Sequence, residues 1–128
     1  MEEIIFSPET KLGKIFNIIE RIGYLNVGIL AFEKSIEYSK NNPILAMNLQ
    51  WLVNNVLGLQ LEKLINYAKD EKDLETYLRK NKLKIDKLFK EIDMKSFDCY
   101  ETDQYKKEAL DRYHSAQSCW EEYRKKLK

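Results

Sequence analysis

The side chains of this 128-residue chain best suited to chemistry are a single histidine and two cysteines. Asp111 precedes His114 by three positions and Glu108 extends the same helix face, a spacing that carboxylate-bridged di-iron proteins use. A di-iron site needs a second such pair, and the chain contains no second histidine. We therefore expect this face to be a surface charge cluster, with no metal and no other cofactor.

Cys99 and Cys119 are too few for a zinc site, and neither stands in a CxxC arrangement. The first residues, Met1-Glu2-Glu3, are acidic where a signal peptide is basic, so we expect reduced thiols in a cytoplasmic protein. The four glycines are isolated, which excludes a glycine-rich phosphate loop. Without a convergent acid, base and nucleophile, an enzyme is not expected.

One short stretch concentrates positive charge in a chain that is otherwise balanced, with 22 basic and 21 acidic residues. Six basic residues between Arg79 and Lys90 face a single acid, Asp86. Lys80, Lys84 and Lys87 share one face of the predicted helix 71–92, and Arg79 adjoins them. This face would either bind nucleic acid phosphates or serve only as a solvated surface, balanced by acids further along the chain.

The most unusual stretch is 41–61, which contains no charged residue although a third of the chain is charged. Asn42 followed by Pro43 is typical of a helix start, so we predict a central helix over 43–69. One apolar stripe along it comprises Leu45, Leu49, Leu52, Val53, Val56 and Leu64. A second, on the opposite side, comprises Met47, Trp51, Asn54, Gly58, Leu61 and Ile65.

A helix with two apolar faces needs two coverings. Either the rest of the chain supplies both, or the second stripe, which we call the Trp51 face, is a self-association surface rich in the residue types of interfaces. A transmembrane helix is not expected here, because five amide side chains would lie in hydrocarbon. Gly58 lacks a side chain, which favours close approach by a neighbouring backbone.

The remaining elements are also helical. Residues 1–6 are expected to pack as an apolar arm, and 8–40 to form a helix with a kink or short break near Gly23. The inner face of this helix is predicted to comprise Leu12, Ile15, Ile19 and Ile22, widened by Phe16 and Ile18. Residues 71–92 form the next helix, 93–102 a loop tethered by Phe97 and Tyr100, and 103–127 an aromatic last helix.

These patterns predict one all-α domain, an up-and-down bundle of four to five helices around the central helix. The function that they favour is a non-enzymatic protein–protein interaction or assembly module, most simply a homodimer or a small subunit of a complex. The alternative is a nucleic-acid-associated accessory protein that uses the basic face of helix 71–92. No membrane partner is expected.

Overall fold

The structure, a computed structural model, describes residues 10–127. Over these residues the chain is all-helical, as predicted, with six α-helices and no strand. The helices are α1 (Lys11–Tyr38), α2 (Pro43–Val56), α3 (Glu62–Ala68), α4 (Lys72–Lys80), α5 (Lys82–Glu91) and α6 (Asp103–Arg124). The predicted arm over 1–6 and the predicted helix start at Pro8 lie outside the described residues.

Helix α1 is one continuous helix of 28 residues, about 42 Å long. Thr10 caps it, because its hydroxyl oxygen accepts a hydrogen bond of 3.0 Å from the backbone N–H of Gly13. The break predicted near Gly23 is absent. Helix α1 packs against α2 and α3. The stabilisation from this packing outweighs the weak helix propensity of glycine.

Helix α2, a π-helical turn at Leu57–Leu61 and α3 follow one another directly and form a single rod, which we call the central rod. Asn42 caps it as predicted, its side chain accepting a 3.2 Å hydrogen bond from the backbone N–H of Leu45. The π-turn was not predicted. It widens one turn of the rod and contains Gly58.

Both faces of the central rod are covered, which confirms the prediction of a helix buried on two sides. Helix α1 packs on one face, and α6 with a 3₁₀-helix at Met94–Cys99 packs on the other. The rod residues most completely buried are Val53, Leu57, Leu61 and Leu64.

Two glycines set how closely the covering helices approach the rod. A Cβ at Gly28 of α1 would lie only 2.9 Å from Cγ1 of Val56. A Cβ at Gly58 would lie 3.3 Å from Cβ of Arg112 on α6, close to the backbone of that helix. The close approach predicted for Gly58 is therefore confirmed, whereas the role of Gly28 was missed.

Helix α1 runs antiparallel to the rod. The guanidinium of Arg21 donates a hydrogen bond of 2.6 Å to Gln60, and further along, Gln50 donates one of 3.3 Å to Ser35. Helix α4 is tied to α1 as well, by a hydrogen bond from the Tyr77 hydroxyl to the side-chain oxygen of Asn26. Burial raises the pKa of Tyr77 to about 12.

The helix predicted over 71–92 is two helices, α4 and α5, that meet at Asn81. Asn81 leaves helical geometry, with φ −101° and ψ 11°, and its side chain donates a 2.9 Å hydrogen bond to the carbonyl of Tyr77. Asparagine competes with the helix in this way because its amide can bond to nearby backbone. The apolar stripe survives the break, since its members Leu74, Leu78, Ile85, Leu88 and Ile92 are all buried.

The segment predicted as a loop contains the 3₁₀-helix, and Phe97 anchors it as expected, being almost fully buried. Thr102 then caps α6 through a 3.1 Å hydrogen bond accepted from the backbone N–H of Tyr105. Of the aromatic residues of α6, Tyr113 and Trp120 are buried in the core, whereas Tyr105 is exposed.

Candidate interaction surfaces

The Trp51 face, predicted from the sequence as an interface, lies against other parts of the same chain. Leu61 and Ile65 are buried in the core. The amide of Asn54 is buried and donates a hydrogen bond of 2.6 Å to the hydroxyl of Ser96 in the 3₁₀-helix. Gly58 contacts α6. These four of the six predicted residues are therefore engaged by the core, the 3₁₀-helix or α6 of the same protomer.

Met47 and Trp51 are the partly exposed members of the Trp51 face. The Trp51 ring packs against that of Tyr100, with centroids 5.9 Å apart and planes tilted by 58°. The Tyr100 hydroxyl donates a 2.7 Å hydrogen bond to Asn55. Within residues 10–127, Trp51 Nε1 and Asn54 Oδ1 are buried without a hydrogen-bond partner. The part of the Trp51 face that a partner could reach is therefore a narrow edge of α2.

A larger apolar surface lies on α1. Of the predicted inner face, Ile18 and Ile22 pack on the core as expected, but the other four residues are exposed, so the prediction was wrong for those four. The true inner face continues through Leu25, Ile29 and Phe32. We call the exposed side the α1 outer face, and its members are Leu12, Ile15, Phe16, Ile19, Gly23, Val27 and Leu30.

The α1 outer face is a continuous helical stripe. Successive members are separated by one, three or four residues, which keeps them on one side at 100° per residue. Ile19 is 63% exposed and Leu30 is 56% exposed. At its centre Gly23 is also exposed, and a Cβ built there meets nothing within 4 Å.

Among the described residues, α1 is also the one helix long and apolar enough, by length and composition, to cross a membrane. Its most apolar 18-residue window has a mean hydropathy of 1.4 and is 28% buried. Signal sequences and the core helices of soluble proteins share these properties, so the finding is weak evidence for a span. It does show that α1 carries more apolar residues than those that face the core.

The predicted basic face lies on both sides of the break at Asn81. Arg79 on α4 forms a 2.8 Å ion pair with Glu75, and Lys87 on α5 lies 3.9 Å from Glu91. Lys80 and Lys84 are exposed. The break at Asn81 divides the predicted basic face between α4, which carries Arg79 and Lys80, and α5, which carries Lys84 and Lys87.

Asp86, the single acid within the basic stretch, is turned toward α6. Its carboxylate accepts hydrogen bonds of 2.7 Å from Trp120 Nε1 and of 2.9 and 2.8 Å from the Arg124 guanidinium. Burial opposes ionisation, but these hydrogen bonds prevail and lower the pKa of Asp86. A cavity of about 380 Å³ adjoins this cluster. Of the charged side chains at its wall, Asp86 and Arg124 are paired with each other.

The histidine and the two cysteines, the residues considered first for chemistry, are not brought together into one site. His114 is exposed, and the neighbour that its ring contacts is the aromatic ring of Tyr113, 5.5 Å away. Cys99 is exposed and Cys119 half-buried, both as free thiols. Burial raises the pKa of the Cys119 thiol. Within residues 10–127, no group of three or more His, Cys, Asp and Glu side chains is placed to hold a metal ion.

No protein-family model matches the chain, and comparison with curated proteins and with solved structures returned no match. Function therefore has to be argued from the surfaces themselves. Of the surfaces described, the α1 outer face departs furthest from ordinary solvated protein surface.

Proposed function

We propose that this protein is a non-enzymatic protein–protein interaction or assembly module and that it binds its partner through the α1 outer face. The observation that supports this is a row of large apolar side chains, each about half exposed, along about two-thirds of a 28-residue helix. The helices behind it are taken as an up-and-down bundle around the central rod, which provides a rigid base for the surface.

The size of the apolar surface is the physical argument. Six half-exposed side chains leave on the order of 500 Å² of apolar area, near the upper limit for the largest patch on an ordinary monomer. Keeping such an area in water costs free energy that burial in a complex would recover. A second copy or another protein would provide that burial, and the cytoplasm is where we place the complex.

This proposal moves the interaction surface away from the Trp51 face. Asn54, Leu61 and Ile65 are buried within the protomer and would be reached only by displacing α6 or the 3₁₀-helix. Met47 and Trp51 remain at an edge of α2. On the α1 outer face, by contrast, Ile19 and Leu30 are already more than half exposed.

The test compares the mass of the tagged protein in a cell extract for three versions of the chain. The wild type is expected to elute well above its protomer mass of 15.3 kDa. Leu30→Glu places a charge on the α1 outer face and is expected to elute as the protomer. Leu83→Glu is the matched control, because Leu83 is 79% exposed on α5. A wild-type chain that elutes as a protomer would refute the proposal.

The second candidate function is binding to nucleic acid through Lys80, Lys84, Lys87 and Arg79. The observation that favours it is the engagement of Asp86 by Trp120 and Arg124, which draws the single local acid away from the lysines. Affinity for RNA or DNA should then fall roughly a hundredfold between about 50 and 200 mM salt for four phosphate contacts.

Fluorescence anisotropy with a labelled single strand and a labelled duplex measures this affinity directly. Combining Lys80→Glu with Lys84→Glu should weaken binding, whereas Lys63→Glu, at an exposed lysine of the central rod, should not. Absence of binding at low salt, or equal loss in the control, would remove this candidate.

A further inference from the structure

We infer that the cleft between α5 and α6 binds a nucleoside monophosphate whose base carries an exocyclic amino group. No residue of the α1 outer face lines this cleft, and the inference goes beyond the assembly function proposed above. Three observations carry it: a cavity beside Asp86, the way in which Asp86 holds Arg124 at the cavity wall, and the order of charged and aromatic side chains along the cleft.

Helices α5 and α6 form the walls of the cleft and run antiparallel. At one end, the Asp86 carboxylate of α5 bonds the Arg124 guanidinium of α6. Toward the other end, the ring of Phe89 on α5 packs against that of Tyr113 on α6, with centroids 5.5 Å apart. The cleft therefore has an Arg124 end and an opposite end, which we call the Gln117 end because Gln117 is the first residue of α6 to line the cavity.

The cavity has the size of a small-molecule site. Its volume is about 380 Å³, within the range of about 300–1,000 Å³ that is usual for ligand pockets. Gln117, Glu121 and Lys125 line it from successive turns of α6, so it follows the helix for about 12 Å. A nucleoside monophosphate, with its base at one end and its phosphate at the other, matches this elongated shape.

The Arg124 end is arranged to hold an anion. Asp86 accepts hydrogen bonds of 2.9 and 2.8 Å from Nε and Nη2 of Arg124, which fixes the guanidinium in one orientation. The guanidinium carries further N–H donors, and Arg124 lines the cavity. Lys125, the next residue, also lines it and is exposed. Since Asp86 offsets the charge of Arg124, Lys125 makes this end positive, which together with the oriented donors suits a phosphate.

The order of charges along the cleft suits one phosphate rather than a chain of them. The cations at the wall are Lys90, Arg124 and Lys125, and the acids are Asp86 and Glu121. Lys82 is a further cation nearby, since its charge favours the ionised form of Asp86, and its ammonium donates a 3.2 Å hydrogen bond to the carbonyl of Leu127. Glu121 stands between the two ends and would repel a phosphate there. A polynucleotide backbone along the whole cleft is therefore disfavoured.

Aromatic side chains line the cleft beside these charges. Phe89, which is half-buried, and Trp120 both contribute to the cavity wall. Trp120 is held by a 2.7 Å hydrogen bond from its Nε1 to Asp86, and Phe89 is held by its contact with Tyr113. Aromatic rings bind nucleobases by stacking, because every base has a flat π-face. Rings that are fixed before the ligand arrives lose little entropy when it binds.

The Gln117 end offers hydrogen bonds to the edge of a base. The Gln117 amide can both donate and accept, whereas the Glu121 carboxylate one turn later only accepts. Adenine presents an amino donor beside a ring-nitrogen acceptor, a pattern that a glutamine amide pairs with two hydrogen bonds. Uracil has a carbonyl oxygen in place of that amino group and gives Glu121 no donor. Lys90 lines the cavity from α5 and offsets the charge of Glu121, but leaves its oxygens as acceptors. An adenine nucleotide is therefore favoured over a uracil nucleotide.

The first experiment titrates the purified chain with small ligands and follows Trp120 at the cavity wall. The chain has two tryptophans, so Trp51→Phe leaves the fluorescence of Trp120 alone. AMP is expected to bind with a dissociation constant at least about tenfold lower than that of adenosine or of inorganic phosphate, because each of these occupies one end only. UMP is expected to bind about fivefold more weakly than AMP. Isothermal titration calorimetry of the unsubstituted chain measures the same constants without Trp51→Phe.

The second experiment tests the two ends with single substitutions. Lys125→Ala should raise the dissociation constant of AMP about five- to tenfold and leave that of adenosine unchanged. Lys126→Ala is the matched control, because Lys126 is the neighbouring exposed lysine and does not line the cavity. Lys90→Ala should have the smaller effect, since Lys90 lies toward the base. All three lysines are exposed, so circular dichroism should show the wild-type fold in each variant.

Equality between AMP and either of its parts would overturn the inference. If inorganic phosphate binds as tightly as AMP, the rings and Gln117 contribute nothing, and if adenosine does, the Arg124 end contributes nothing. Equal losses in Lys125→Ala and Lys126→Ala, or a larger loss in Lys90→Ala, would also contradict it. A single-stranded oligonucleotide that binds where AMP does not would place nucleic acid on the basic face of α4 and α5 instead. None of these results depends on Leu30, so the test of the assembly module stays separate.

Discussion

The central rod and α1 are the two most apolar helical stretches of this chain, and their surroundings differ. Each has apolar residues on two sides. The rod is covered on both sides, by α1 and by α6 with the 3₁₀-helix, whereas Ile19 and Leu30 on the outer side of α1 are more than half exposed. The absence of charged residues along the central rod therefore identifies a helix that must be buried. For α1, its position in the fold decides which of its apolar residues stay exposed.

Truncating one leucine in each region should give the largest difference. Leu61 is fully buried in the π-turn, and Leu61→Ala should reduce the free energy of unfolding by about 2–5 kcal/mol, through lost burial and the cavity left behind. Leu30→Ala, on the exposed side of α1, should change it by less than about 0.5 kcal/mol in the monomer. Urea denaturation followed by circular dichroism at low protein concentration measures both. Similar losses would contradict the different burial of the two faces.

Ser96→Ala tests how the 3₁₀-helix holds the Trp51 face of the rod. The substitution removes the acceptor of the buried Asn54 amide, and leaving that donor unpaired should cost about 1–3 kcal/mol. Ser39→Ala is the control, because Ser39 bonds the carbonyl of Ile36 at the exposed end of α1. The same denaturation measurement should show little change there. Equal effects would show that Asn54 does not depend on the 3₁₀-helix.

Alanine at two glycines of α1 should act in opposite directions. Gly28→Ala places a Cβ 2.9 Å from Cγ1 of Val56, a buried, branched side chain with little freedom to move, and should destabilise the fold by about 1–2 kcal/mol. Gly23→Ala meets no neighbour and should stabilise the monomer by about 0.5–1 kcal/mol through helix propensity.

Gly23→Ala also tests the contact proposed for the α1 outer face. If a partner packs closely at Gly23, the added methyl group should weaken that association even though it stabilises the monomer. Gel filtration of the tagged variant in a cell extract measures this, and a variant that gains stability without any loss of association would place the contact away from Gly23.

Part of this architecture could be read from the sequence because local chemistry decides it. Asn42 and Pro43 start the central rod wherever it packs. Each of the two stripes of the rod contains buried residues, so either assignment of inner and outer finds part of the core. The buried stripe of α4 and α5 was likewise found because charged residues occupy the rest of those helices.

The orientation of α1 could not be read in the same way. Its two apolar stripes are alike in composition, and periodicity alone does not say which faces the core. Contacts distant in sequence decide it: Gly28 against Val56 and Ser35 beside Gln50. The exposed stripe was therefore mistaken for the inner one, and with it the main candidate surface was missed. An exposed glycine amid large apolar residues, Gly23, was the available signal.

The smallest expected effect concerns α6, the second cover of the central rod, and its ionic link to α5. Because hydrogen bonds from Arg124 and Trp120 lower the pKa of Asp86 in the folded state, its contribution to stability is present above the unfolded pKa of about 3.9 and is lost as pH falls through the lower folded value. The thermal midpoint of the wild type should therefore fall more steeply below about pH 4 than that of Asp86→Asn, while Asp70→Asn, at an exposed aspartate, should follow the wild type. Identical acid profiles for the wild type and Asp86→Asn would show that the link from Asp86 to α6 does not help to hold α6 in place.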